Sequence, residues 1–148
     1  MLFRSTLPYQ TAPRSLSVAR TGSHVALLIE RHVLLVDRAQ LLRVTDVGGW
    51  GDPATITSVD DVLFVTWITS DHILMAQRLS AVGEILGAPG GAGIASNVDQ
   101  AATTTDGDEI LLVFSTLDAM TLERVDPATG SRVVAGEFPL RYVRPLAV

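Results

Sequence analysis

No cysteine occurs among the 148 residues, and all eleven basic residues are arginine, so lysine is missing as well. Without thiols the chain cannot build a disulfide framework or a cysteine-ligated zinc or redox centre. Without lysine it cannot use a Ser-x-x-Lys nucleophile, and it contains neither a Gly-x-Ser-x-Gly elbow nor a catalytic cysteine. Aromatic residues make up only 5% of the chain. Long apolar runs are missing too: those present, such as residues 33–36 and 110–114, fall far below the roughly 18 residues of a membrane span. The first residues meet Arg4 and Pro8 before an apolar core could form, so no signal peptide is expected.

What is present fits one domain with a hydrophobic core. Hydrophobic residues make up 47% of the chain, and a chain of this length buries roughly two-thirds of its unfolded surface. The net charge is -5 and the pI is about 5.0. The arginines are scattered from Arg4 to Arg144 with no run among them. Nucleic-acid and anionic-membrane affinity come from clustered cations, so neither partner is expected.

The patterning is all-β. Short runs rich in Val, Ile, Leu and Thr are bounded by Gly, Asp, Ser and Pro, and no helical period persists. The expected strands are 16–20, 25–30, 32–38 and 41–47, then 54–58, 62–69, 72–80 and 84–86, then 101–105, 110–116, 119–126 and 132–138. Gly22, Gly83, Gly107 and the run 126–130 supply hairpin turns. The glycine-rich stretch 87–93 reads as a connector; it lacks the Lys-Ser/Thr ending and helix start of a phosphate-binding loop.

The three sets of four strands repeat. Residues 54–65 align without a gap on 102–113: a small-polar strand, an acidic turn, an apolar strand. Residues 71–79 then match 118–125 with one slip, and 17–28 fit more loosely, with Gly22 where the third set has Gly107. This alignment equates Val25, Val62 and Ile110, close to the spacing of roughly 40 to 50 residues between four-stranded blades. The second set, with an acidic turn at Asp60 and Asp61, an apolar strand ending in Trp67, a strand carrying Arg78 and a turn at Gly83, resembles the degenerate β-propeller repeats common in large bacterial proteins. The resemblance spans residues 16–138. It implies an architecture of three four-stranded antiparallel blades and no shared catalytic residue.

A closed propeller usually has four to eight blades, so three leave two apolar faces to be covered. The expectation is a partial propeller completed by oligomerisation, with a β-sandwich or barrel as the alternative. Its organisation would be an extended arm over 1–15, a domain over 16–140 with repeats at 16–51, 54–90 and 98–138, and a tail over 141–148. Arm and tail are placed to lend strands to neighbours.

Candidate chemistry is sparse. His24, His32 and His72 are separated in sequence and have no ligand-like spacing. Asp60 and Asp61, like Asp106, Asp108 and Glu109, read as turn-forming residues; calcium requires six to eight oxygen ligands. Trp50 lies in the loop 48–53, whose glycines are expected to leave its indole accessible, and with Asp52 it forms the candidate ligand-binding pair for a sugar or peptide. Trp67 is expected in the core or between blades. The sequence therefore points to a non-enzymatic structural or protein-interaction module without cofactor or metal. Its partners would be itself or other subunits of an assembly. Small β modules of this kind resemble virion components of the phage tail, adaptor or capsid-associated type, which would place it in the cytoplasm or in a virion. The alternatives are a carbohydrate- or peptide-binding propeller module and a hydrolase using His and the acidic turns.

Overall fold

The structure, a computed structural model, describes residues 16–140. The arm expected at 1–15 and the tail expected at 141–148 lie outside the described residues.

Three antiparallel meanders follow one another along the chain. The first sheet comprises β1 (Leu16–Thr21), β2 (His24–Ile29), β3 (His32–Asp37) and β4 (Gln40–Asp46). The second comprises β5 (Ala54–Val59), β6 (Val62–Ile68), β7 (Leu74–Ser80) and β8 (Ile85–Leu86), with β9 (Ala92–Ala95) also paired to β7. The third comprises β10 (Gln100–Asp106), β11 (Glu109–Ser115), β12 (Ala119–Val125) and β13 (Arg132–Pro139). The sheets stack face to face in chain order, with one core between the first and second and another between the second and third. Three separate sheets are neither a sandwich nor a closed barrel, so that alternative is not what forms. Among the described residues, the first and third sheets do not pack on each other.

The second and third sheets begin with strands rich in small and hydroxyl residues, and the first strand of the first sheet carries Ser17, Ala19 and Thr21 on the face toward the second sheet, because these strands lie side by side where the sheets converge. β5 touches both β1 and β10. Thr57 and Thr103 hydroxyls meet at 2.7 Å, Thr55 and Thr66 at 2.8 Å, and the Ile56 N–H donates to Ser17 Oγ at 3.2 Å. Bulkier side chains would hold these backbones apart and leave the buried polar groups unpaired.

Side-chain alternation sorts each strand into a backward face, toward the preceding sheet, and a forward face, toward the following one. In β11 the backward residues Ile110, Leu112 and Phe114 are buried in the core shared with the second sheet. In β6, the central strand of the middle sheet, both faces are covered: Leu63, Val65 and Trp67 point back, while Phe64 and Ile68 point forward. An unbroken apolar run is the sequence signature of a strand covered on both sides.

The structure adjusts the repeat alignment by one residue. The first hairpin of each sheet turns at Gly22, Asp60 and Gly107, which share a positive φ of 54°, 50° and 60°. Counting from these turns equates Val25 with Leu63 and Ile110, whereas the sequence alignment chose Val62. In a strand a one-residue slip exchanges the two faces. Two local expectations also change. His72 sits in the β6–β7 turn, because β7 starts at Leu74. The stretch 87–93 is only partly a connector, because β9 begins at Ala92 and takes over the edge of β7 beyond the two-residue β8.

Candidate functional site

Among the described residues the middle sheet has a neighbouring sheet on both faces and each end sheet on one. On the backward face of the first sheet Ile29 and Leu34 are nevertheless buried, while Leu16, Val18 and Val25 are exposed. Cross-strand register builds the backward face of the first sheet from the row Val18, Leu27, Leu34, Val44 and the row Arg20, Val25, Val36. Leu16 is 67% exposed there and Val18 62%. The forward face of the third sheet carries Ala102, Val113 and Leu122 in one row and Gln100, Ser115, Met120 and Phe138 in the next. Phe138 is 51% exposed and Val133 65%. Ala102, Val113, Ser115 and Met120 also border a shallow hollow of about 140 Å³ on this face.

Both faces belong to strands whose sequences are apolar on both sides. β2 reads Val25, Ala26, Leu27, Leu28, Ile29 and β11 reads Ile110, Leu111, Leu112, Val113, Phe114. Like β6, they carry apolar residues at forward and backward positions alike. Solvated strand faces normally alternate to polar residues, and contiguous exposed apolar surface marks an interaction site. The signal was readable in the sequence; which face stays uncovered was not.

The rim shows how a junction between sheets is made. Thr45 Oγ1 donates to the Gly83 carbonyl at 2.6 Å, tying the first sheet to the β7–β8 turn of the second. One sheet further on, an Arg78 Nη1 donates to the carbonyls of Pro127 and Ala128 at 3.0 and 2.6 Å, tying the second sheet to the β12–β13 turn of the third. Beside Arg78 lies a cavity of about 210 Å³ bordered by Ala76, Leu86, Gly91, Ile94 and Arg132. It opens because the outer strand of the second sheet is split: β8 pairs with Arg78 and Leu79, β9 with Leu74 to Ala76, and Gln77 faces the gap between them. Buried Gln77 donates from Nε2 to the Arg78 and Leu86 carbonyls at 3.1 and 3.0 Å. Arg132 is held by Glu123 at 3.0 Å. The cations beside this cavity thus already have partners within the fold.

The sequence-selected residues are dispersed. Trp50 is 46% exposed in the loop 48–53, and Asp52 is exposed two residues on. The glycines around them serve a different tryptophan. A Cβ on Gly49 would lie 2.5 Å from the Trp67 ring and one on Gly91 2.7 Å from it, so both backbones lie directly on the buried indole. Trp67 itself is buried between the first and second sheets. His24 touches Ser23 at 3.3 Å, His32 approaches Asp46 and His72 approaches Asp99, each at 3.9 Å. Among the described residues no three His, Asp or Glu side chains are grouped to hold a metal ion, and no helix is long and apolar enough to cross a membrane. Asp60, Asp61, Asp106 and Asp108 are exposed at or beside their turns. Among the described residues, Asp46 is the one carboxylate set apart by its surroundings. Two hydrogen bonds from Arg31, at 2.8 and 2.7 Å, hold its carboxyl below the usual carboxylate range, and the Gly48 N–H adds to them.

No protein-family model matches the chain, and no curated protein matches it in sequence. Solved structures do match. The WD40 domain of Toxoplasma gondii coronin superposes with a TM-score of 0.64 at 12% identity, over 84% of this chain and 35% of that one. The fold is that of consecutive β-propeller blades. The N-terminal domain of Nup159 superposes with a TM-score of 0.52 at 16% identity, over 84% of this chain and 30% of that one. A complex of S. cerevisiae Dbp5 with Nup159, Gle1, IP6 and ADP gives the same values. The three blades thus span about a third of the length of the propeller domains they resemble. In those terms the sheets' first strands line the centre, and the two faces without a neighbouring sheet among the described residues are the outer blade faces of three consecutive blades.

Proposed function

We propose that this chain is a non-enzymatic protein-interaction module that self-associates through its two end-blade faces. The observation that carries this reading is the two-sided apolar composition of β2 and β11, strands that among the described residues have a neighbouring sheet on one side only. Their exposed residues are those that, in the middle blade, pack against a neighbouring blade. Covering such a face gains roughly 25 cal/mol per Å² of apolar area, before the cost of association. The arm over 1–15 and the tail over 141–148 are proposed as the segments that reach a neighbour. A place in a virion is a further proposal carried by the sequence analogy alone.

The second reading, a sugar or peptide platform at Trp50 and Asp52, has the exposure of the indole in its favour. Neither residue borders the two cavities described above. Protein association is favoured because its residues form continuous rows.

The test is the solution mass of the purified chain by static light scattering. The expected value at micromolar concentration is twice the 15.8 kDa chain mass. A particle of one chain mass at every concentration overturns self-association.

A further inference from the structure

The blade register specifies what would meet at a third junction. At a junction, the end of the first strand of one blade lies beside the equivalent strand of the next. On the forward face this position is Thr21 in the first blade, Val59 in the second and Asp106 in the third, counted from the shared hairpin turn. Thr21 and Val59, which stand at formed junctions, are 2% and 4% exposed. Asp106 stands at the unformed one and is exposed. The opposing backward position is Ser58 in the second blade, Thr105 in the third and Arg20 in the first. Ser58 Oγ donates to the Arg20 carbonyl, which shows that these strand ends touch across a junction.

Asp106 therefore occupies a place that a third junction would remove from water, and a carboxylate so placed needs a cation or hydrogen-bond donors. The facing position of the first blade supplies Arg20. Glu109, the cross-strand neighbour of Asp106, lies on the same forward face. Among the described residues neither Arg20 nor Asp106 has an ion-pair partner, whereas Glu109 approaches Arg124 at 3.6 Å. At the other end of the same strands, exposed Leu16 on the backward face corresponds to the hollow at Ala102, Val113 and Met120 on the forward face.

We infer that the occupant of both end faces is a second copy of this chain, docked reciprocally so that Arg20 of each copy meets Asp106 of the other. This rests on the self-association proposed above. One twofold axis then generates two identical junctions and closes six blades into a ring, so that no face is left for a third chain. An unrelated apolar partner would satisfy the hydrophobic rows but would not require an acid at the forward corner and a base at the backward one.

The test uses the full chain and three variants, Arg20→Glu, Asp106→Arg and the combined Arg20→Glu/Asp106→Arg. The dissociation constant of the dimer is read by sedimentation at low salt, with far-UV circular dichroism to confirm the fold. Both positions are exposed in the single chain, so the fold should hold. Each single variant places like charges together and is expected to weaken the dimer about tenfold or more; the combined variant restores opposite charges and is expected to return within about threefold of wild type. Single variants that dimerise like wild type overturn this docking register and leave self-association standing. A combined variant as weak as the singles also overturns the pairing. A monomeric wild type removes the underlying reading.

Discussion

Trp67→Ala is expected to destabilise the fold by about 3–5 kcal/mol, the range for truncating a large buried aromatic side chain. The size of the loss follows from how little can move into the space left behind. Trp67 lies in β6, whose two faces are both covered, and its ring sits in the core between the first and second blades. The backbones of Gly49 and Gly91 rest on the ring edge. Gly49 belongs to the connection between the first two blades and Gly91 to the split outer strand of the second. Losing the ring therefore loosens one blade junction and one blade rim together. Urea melts followed by circular dichroism measure the difference. A loss below about 1.5 kcal/mol would mean that the glycine segments collapse easily, and that the ring does not set their position.

The second large effect is expected at Gly51→Ala, by a purely steric route. A Cβ at Gly51 would fall 1.7 Å from the Ile68 carbonyl oxygen and 2.4 Å from its carbon. Both are main-chain atoms, so no side chain can swing aside. The Ile68 N–H donates to the Pro53 carbonyl at 3.3 Å, which fastens this loop to the end of β6. Overpacking usually costs about 1–3 kcal/mol, and a contact this short against backbone belongs at or above the upper end. Gly22→Ala provides the control. Gly22 has a φ of +54° with nothing within 4 Å of the added Cβ, so only the left-handed conformation is penalised, by about 1 kcal/mol. Equal losses at the two positions would show that the Gly51 loop shifts to accommodate the methyl group.

The strands were legible because short apolar runs end at residues that can adopt turns. Three sets of four followed from the recurring turn and the small-polar strand after each connection. The register was harder to read. Matching residue type placed Val62 against Ile110, but the hairpin turn is the feature that fixes register, and it places Leu63 there. β9 escaped notice because Ala92, Gly93 and Ala95 carry little β propensity and follow glycines, leaving Ile94 alone to signal a strand; β9 pairs with β7 beyond the end of the short β8. The Trp50 loop was legible only in part. Trp50 is exposed as expected, but that Gly49 and Gly51 also lie against Trp67 and Ile68 depends on residues farther along the chain. As for the candidate faces, the apolar residues of β2 and β11 are plain in the sequence. Whether a neighbour covers them depends on blade order, which only the assembled sheets reveal.

Sedimentation velocity of the full chain over a wide concentration range tests the ring most directly, because it separates closure from mere stickiness. Two complementary end faces related by a twofold axis predict two species only, one chain and two chains, with nothing heavier as concentration rises. A ladder of trimers and longer species would show that the faces join head to tail without closing, and a lone monomer throughout would show that they do not join.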